Sequence, residues 1–440
     1  MPSANGALPP GPDRHPLRQT LDYVRRPLPM LEDARRRFGD AFTIRLHGMP
    51  PIVVLADPDA IRDAYTADAD LLRSGEANQA LQAGLGRHSL IVLDGSEHLR
   101  ERRLLLPSFH GERLRVYGDL IAGVAERRIA DWTAGRPLAV ARTMRAIALE
   151  VILRAVLGVE DPDRMRRAER SLTRFLESAT PAHRFLVLLL IRPGGLTMRT
   201  WQRYAPTMRR VDAVIYEAIE RRRADPRLAE RDDILSLLLQ ARDEDGQAMP
   251  DEHLRDELVT MLAAGHETTA TALGWALERV VREPRVLDRL VEEVRAGEGE
   301  EYLDAVAKET LRLRTIVPFS IRQLAAPATV GGLDLPTGVR VAPCIHLVHR
   351  HPDVYPDPDS FRPERFLERP AGTYTWIPFG GGIRRCLGAS FAVFEMKTVL
   401  RTLLRAGRPS APEPDPEPVG RRGITLVPAR GARVVWHPGA

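Results

Sequence analysis

"FGGGIRRCLG", residues Phe379–Gly388, is the stretch on which the reading of this chain turns. It sets four glycines and two adjacent arginines around Cys386, one of 2 cysteines in 440 residues. Just before it, "TYTWIPF" reads as a strand. Just after it, "LGASFAVFEMKTVLRTLLRAG" places Val393, Met396, Leu400 and Leu403 on the i, i+3, i+7, i+10 stripe of a helix facing a core, with Gly407 as its stop. Cys386 therefore stands where a glycine-rich turn meets a helix N-terminus. Unpaired N–H groups and the helix dipole favour negative charge there and can hold a thiolate.

Several chemistries compete for that position. A buried structural cysteine is the ordinary one. A nucleophilic cysteine needs a histidine partner, and none is near in sequence. A phosphate loop needs G-x-x-x-x-G-K-[ST], and no lysine follows. One cysteine cannot hold an iron–sulfur cluster or a structural zinc, whereas one thiolate can be the axial ligand of a haem iron.

Phe379, Gly382, Arg384, Cys386 and Gly388 match all five positions of the cytochrome P450 haem-binding signature, F-x-x-G-x-[HR]-x-C-x-G, so this segment resembles that family. The resemblance implies a mainly α fold with small β-sheets, haem held between a long central helix and the Cys386 loop. Cys386 would be the axial thiolate and Arg384 a propionate partner. "AGHETT", Ala264–Thr269, resembles the family's oxygen-binding motif, which assigns Thr268 and Glu267 to catalytic proton delivery. "KETLRLR" and "FRPERF" resemble the family's structural Glu–Arg–Arg group, here Glu309, Arg312 and Arg365. His98, Arg102 and Arg322 stand where bacterial members place haem-propionate ligands. The resemblance runs in order from about Ala41 to the C-terminus. It departs at "HRHP", residues 349–352, where His351 replaces the usual acid.

The residues themselves carry much of this. A long apolar helix is predicted from Asp251 to about Arg282, stopped by Pro284. Its polar break at Gly265–Thr269 would let Thr268 bond the Ala264 carbonyl and bend the helix. "HE" at 266–267 is no zinc-protease motif, because Ala270 stands where the second histidine would have to be. "AFTIRL" and "PIVVL" read as a hairpin, residues 74–93 as a long loop, Ser96 to about Val280 as mostly helical with turns near 179–181 and 193–195, and "VRVAPCIHLV" as a strand. His346, His349 and His351 read as packing residues rather than a metal site.

Net charge is +5 with 28% charged residues, and nearly all the basic ones are arginine, lysine occurring only at Lys308 and Lys397. The arginine triplets 35–37 and 221–223 read as solvated helix faces, not nucleic-acid patches. The longest apolar run, "FLVLLLI" at 185–191, is far short of the about 20 residues that span a bilayer. The expectation is one domain over 1–440, with 1–16 flexible, cytoplasmic and monomeric. The resemblance implies a monooxygenase carrying haem b (iron protoporphyrin IX). It would insert one oxygen atom of O2 into a hydrophobic small molecule, a terpenoid, polyketide or fatty-acid-like compound. Electrons would come from a separate ferredoxin and ferredoxin reductase, docked near Arg103 and Arg385. Candidate pocket residues are Leu81, Leu85, Met261, Ala264, Gly265, Val317, Phe319 and Ile424, together with the stretch 175–190. Two other functions fit a haem-thiolate fold: peroxide-driven oxidation, and non-enzymatic haem or gas binding.

Overall fold

A computed structural model describes residues 8–109, 113–179, 197–297 and 299–439. Its axis is the central helix Asp251–Val280. Most of that helix is buried, including Trp275 and the run Asp256–Leu262, so it cannot stand at a surface. The helix Val140–Leu157 packs along it and is itself almost wholly buried. The cysteine helix Ala389–Ala406 packs on the central helix and on Arg113–Ala130, burying Met396, Val399, Leu400 and Leu403. Each such side chain contributes about 1.5–3 kcal/mol on leaving water.

Small sheets flank this helical body. The largest runs in the order Ala41–Ile44, Ile52–Leu55, Arg340–Pro343, Arg322–Leu324, Leu72–Arg73. The first two strands form the expected antiparallel hairpin, with Ala41 opposite Leu55. A second hairpin, Val419–Arg422 with Thr425–Pro428, is pinned to the central helix: Trp275 Nε1 donates to the Leu426 carbonyl at 3.0 Å.

The structure differs from the sequence reading in several places. "TYTWIPF" forms turns, not a strand: the Thr375 and Trp376 N–H groups bond back to the Gly372 carbonyl at 3.3 and 2.9 Å, and other groups bond to distant elements. The Ile377 N–H donates to His349 Nε2 at 2.9 Å, and Trp376 Nε1 donates to the Lys308 carbonyl at 3.1 Å. The segment 74–93 is not one loop but holds the short helices Ser74–Ala77, Gln79–Leu81 and Gln82–Leu85. The strand expected across 339–348 ends at Pro343, and Ile345–Val348 is a helical turn. The central helix ends at Val280, two residues early, because Pro284 opens the next helix. Of the N-terminal stretch 1–16, residues 1–7 lie outside the described residues, and Pro9 and Pro10 lie beside the first strand: Thr43 donates through Oγ1 to the Pro9 carbonyl at 2.7 Å and through N–H to the Pro10 carbonyl at 3.0 Å. The run 185–191 and the turn at 193–195 lie outside the described residues. Among those described, no helix is long and apolar enough to cross a membrane.

Candidate functional site

The loop of Phe379–Cys386 closes on itself, the Cys386 N–H donating to the Phe379 carbonyl at 2.9 Å. A tight 3-10 turn, Gly382–Arg384, lies between them, and Gly388 caps the cysteine helix. Gly382 has φ +65°, and a Cβ there would run into the Tyr65 carbonyl oxygen. Both the left-handed backbone and the close approach demand glycine. Gly382→Ala is expected to cost more than the about 1–2 kcal/mol of left-handed strain alone. The protein should lose most of its haem, read as the Soret-to-280 nm absorbance ratio, and melt earlier. Unchanged haem content would mean the loop has another way to close.

Cys386 presents open surface, yet surrounding protein raises its thiol pKa through burial, which marks a recess rather than a convex face. The Gly388 N–H, Arg102 and Arg385 oppose that shift. A thiol so placed keeps its proton when free and gives it up to a metal cation.

Arginines converge on this loop. Arg102 donates to the Arg385 carbonyl at 2.8 Å, and Arg322 to the Gly381 carbonyl at 3.2 Å while lying 4.6 Å over the Tyr65 ring. Arg384 pairs with Asp94 and donates to the Leu90 carbonyl at 3.2 Å. Burial lowers the pKa of all three, that of Arg384 to about 10, and each of Arg102 and Arg322 further depresses Arg384. Among the described residues, Asp94 is the sole carboxylate paired with these three guanidiniums. Beside them His98 is 1% exposed, its Nδ1 has no hydrogen-bond partner, and burial then Arg384 and Arg102 push its pKa down to about 3. A buried neutral donor and two unbalanced positive charges suit a dianionic group such as the two propionates of a haem.

On the central helix, Ala264 is exposed and Thr268 half-buried in the middle of a buried element. The Thr268 hydroxyl donates to the Ala264 carbonyl at 2.6 Å, as the sequence suggested. Glu267 is 8% exposed and neither carboxylate oxygen has a hydrogen-bond partner. Arg422 Nε stands 3.6 Å from it. Burial raises the Glu267 pKa, while Arg422 and Arg145 pull it back.

Glu309, Arg312 and Arg365 meet in the core. Arg312 donates to Glu309 at 2.6 and 2.8 Å, and Arg365 at 3.1 Å. Both guanidiniums lie over the Tyr355 ring.

The pocket candidates scatter more. Leu85 is half-buried against the main core, Met261 is 9% exposed, and Leu81 and Val317 are half-buried. Phe319 stacks on Tyr23 with centroids 5.8 Å apart, and Ile424 is 50% exposed at the tip of the second hairpin. Gly265 faces another helix: a Cβ there would sit 2.9 Å from Ile152 Cδ1, so this glycine serves close packing. Phe175 is buried, and residues 180–190 lie outside the described residues. Phe379 packs at the core edge, its ring edge-to-face with Trp376. Among the described residues no group of three or more His, Cys, Asp or Glu could hold a metal. His346 bonds Glu32, His349 accepts from Ile377, and His351 lies 3.4 Å from Asp40.

Sequence reasoning missed Tyr65, Arg145, Arg422 and Tyr355, which come from distant segments and carry no local signature. Asp94 left one signal, its place just before a helix. Its carboxylate does not cap that helix but accepts from the Gly75 and Glu76 N–H groups and from Arg384.

A cysteine in a recess, with arginines converging on its loop, is the arrangement that a haem-thiolate site would need. A sequence model of the cytochrome P450 family matches residues 9–434, and the chain belongs to that family of haem-thiolate monooxygenases. It is 42% identical over 432 residues to a Mycobacterium tuberculosis protein provisionally named cytochrome P450 135B1, covering 97% of this chain and 91% of that one. It is 40% identical over 403 residues to one provisionally named cytochrome P450 137 from the same organism, covering 92% and 84%. Two solved structures share the fold at 24% identity. The cyanobacterial CYP120A1 with retinoic acid bound has a TM-score of 0.83 over 99% of this chain and 100% of that one. The cytochrome P450DA haem domain has a TM-score of 0.86 over 99% and 98%.

Proposed function

We propose that the chain is a single-domain monooxygenase that takes haem b and inserts one oxygen atom of O2 into a hydrophobic small molecule. The observation that carries this is the convergence of Arg102, Arg322 and Arg384 on the loop that bears Cys386. Cys386 would ligate the iron, and the arginines with His98 would hold the propionates. The bound haem supplies dioxygen activation. The chain supplies the rest: a thiolate stabilised by the Gly388 N–H, a half-buried hydroxyl on Thr268, and a buried acid, Glu267, to feed that hydroxyl with protons.

Apolar Leu81, Leu85, Met261, Val317 and Phe319 favour a terpenoid, polyketide or fatty-acid-like substrate. Exposed Arg103 and Arg385 suit an acidic electron donor, a ferredoxin served by its own reductase, in a cytoplasmic monomer. The absorption spectrum of the reduced protein under carbon monoxide tests the core of this reading. A strongly red-shifted Soret band is expected, and a band like that of a histidine-ligated haem would overturn it.

Thr268→Ala is expected to leave that spectrum intact. Coupled product formation should fall by about a hundredfold, the low end of what a positioned proton donor supplies, while NADPH is still consumed. Unchanged product per NADPH would remove Thr268 from proton delivery.

A further inference from the structure

A cluster of titratable side chains, buried at Glu101 and Glu257 and half-buried at His88 and His253, lies between the helix Gly95–Leu105, the first half of the central helix and the loop of residues 82–90. Neither the thiolate loop nor the Glu267–Thr268 step uses it. His88 and His253 stack with ring centroids 3.7 Å apart and planes at 22°. His253 Nδ1 lies 2.9 Å from Glu101 Oε1. Glu101 and Glu257 are 3% and 1% exposed, and one oxygen of each, Glu101 Oε2 and Glu257 Oε1, has no hydrogen-bond partner. The loop is bonded residue by residue to the same helix face. The His88 N–H donates to Asp256 Oδ2 at 2.9 Å, Ser89 Oγ meets Thr260 Oγ1 at 2.7 Å, and the Leu90 N–H bonds Glu257. Positions 253, 256, 257 and 260 are the i, i+3, i+4, i+7 stripe of one helix face.

We propose that this cluster is a proton-operated clasp: His88, stacked on His253, holds the 82–90 loop on the central helix, and protonation of His88 releases it. Two imidazolium rings at that separation would repel each other. The charged groups facing the pair are Arg87 on the loop, Glu101 on the neighbouring helix, and Glu252, Arg255, Asp256 and Glu257 on the central helix. Asp212 and Tyr216, on the helix Thr197–Arg223, face Arg255, and Asp212 pairs with it. Arg384 reaches the cluster through the Leu90 carbonyl.

The sign follows from these neighbours. Burial, and above all Glu101 among nearby charges, hold Glu257 protonated well above the usual carboxyl range. Burial, then His253 and Arg87, keep the His88 pKa below its ordinary value. A histidine depressed in the closed state contributes to closure above the open-state value of about 6.5, and that contribution is lost as pH falls through it. Glu257 has the opposite sign, its contribution being lost as pH rises through its elevated value, so the clasp is bounded on the alkaline side as well. One such histidine makes opening more favourable as pH falls from ~7.5 to ~5.5, by at most about tenfold, the limit for a closed state that takes up no proton in that range. The loop adjoins Leu81 and carries Leu85, so its release would open the proposed substrate pocket, a consequence that rests on the function proposed above.

Hydrogen–deuterium exchange of a peptide spanning residues 82–92, in the haem-loaded full chain, tests the clasp. After correction for intrinsic rates, opening is expected to rise from pH ~7.5 to ~5.5 in the wild type, by up to about tenfold. It should not rise in His88→Phe, which keeps a stacked ring but cannot take a proton. A flat wild-type response, or an equal rise in His88→Phe, overturns the proposal. Should that variant fail to hold haem, an NMR titration of the wild-type imidazoles decides. A depressed titration of His88 is expected, and a His88 titration at the ordinary value overturns it. The carbon-monoxide spectrum of the same sample separates the two readings. A thiolate spectrum with flat exchange sinks the clasp alone, and a histidine-like spectrum with pH-dependent exchange sinks the haem-thiolate reading alone.

Discussion

Cys386→Ser is expected to fold and to lose the red-shifted Soret band of the reduced, carbon-monoxide-treated protein. The substitution leaves the backbone closure of the loop in place, because the bond to the Phe379 carbonyl comes from the Cys386 N–H rather than the sulfur. What it removes is an acidic enough donor. The Gly388 N–H, Arg102 and Arg385 offset the burial of a thiol, but a hydroxyl starts far less acidic, and the same three groups cannot hold it as an anion. Oxygenase turnover should fall by more than about a hundredfold, beyond what loss of a supporting contact around a metal usually costs. Circular dichroism would show the helical content unchanged. Retained turnover with a retained red-shifted band would mean that another side chain ligates the iron.

Glu309→Ala is expected to be the most damaging substitution away from the thiolate. Glu309 and Arg312 are both 0% exposed and Arg365 is 8% exposed. Removing the carboxylate strands two guanidiniums in the core. Breaking a buried pair on one side costs roughly 3–5 kcal/mol, a large part of the about 5–15 kcal/mol that holds a typical domain together. The loss would spread, because the trio organises the chain around it. Arg312 donates to the His349 and Pro358 carbonyls at 2.8 and 2.7 Å, Arg365 to the Pro356 carbonyl at 3.2 Å, and the Arg362 N–H to Glu309 at 2.8 Å. His349 in turn accepts from Ile377, two residues before the thiolate loop begins. The variant should therefore accumulate as unfolded or haem-free protein, with its denaturant midpoint far below that of the wild type. Glu309→Gln, which keeps an acceptor for the Arg362 N–H, should lose less. A midpoint unchanged in the alanine variant would show that Arg312 and Arg365 are adequately held by carbonyls alone.

The thiolate loop was legible because its constraints are local. Gly382 is demanded by a positive φ, and the helix after Cys386 announces itself by a stripe of four apolar residues. The Thr268–Ala264 bond follows from helix geometry alone. Where a segment's bonding is settled elsewhere, local pattern misled. "TYTWIPF" has the alternation of a strand, yet its Thr375 and Trp376 N–H groups turn back to the Gly372 carbonyl and its Ile377 N–H goes to His349, so a ladder is left without these donors. Gly265 looked like a pocket residue because it sits in the oxygen-binding motif, and its neighbour across space is Ile152.

The sequence by itself determined the chemistry: which cysteine can be a ligand, which helix crosses the core, and which acid and hydroxyl stand side by side on it. These depend on neighbours within a turn or two, where chain geometry dictates contact. Only the tertiary structure decided the electrostatics. It put Arg422 and Arg145 beside Glu267, set three arginines against a single carboxylate, Asp94, around the Cys386 loop, and brought His88 onto His253 across more than a third of the chain. Charge acts through space and through burial, and neither is written in the order of residues.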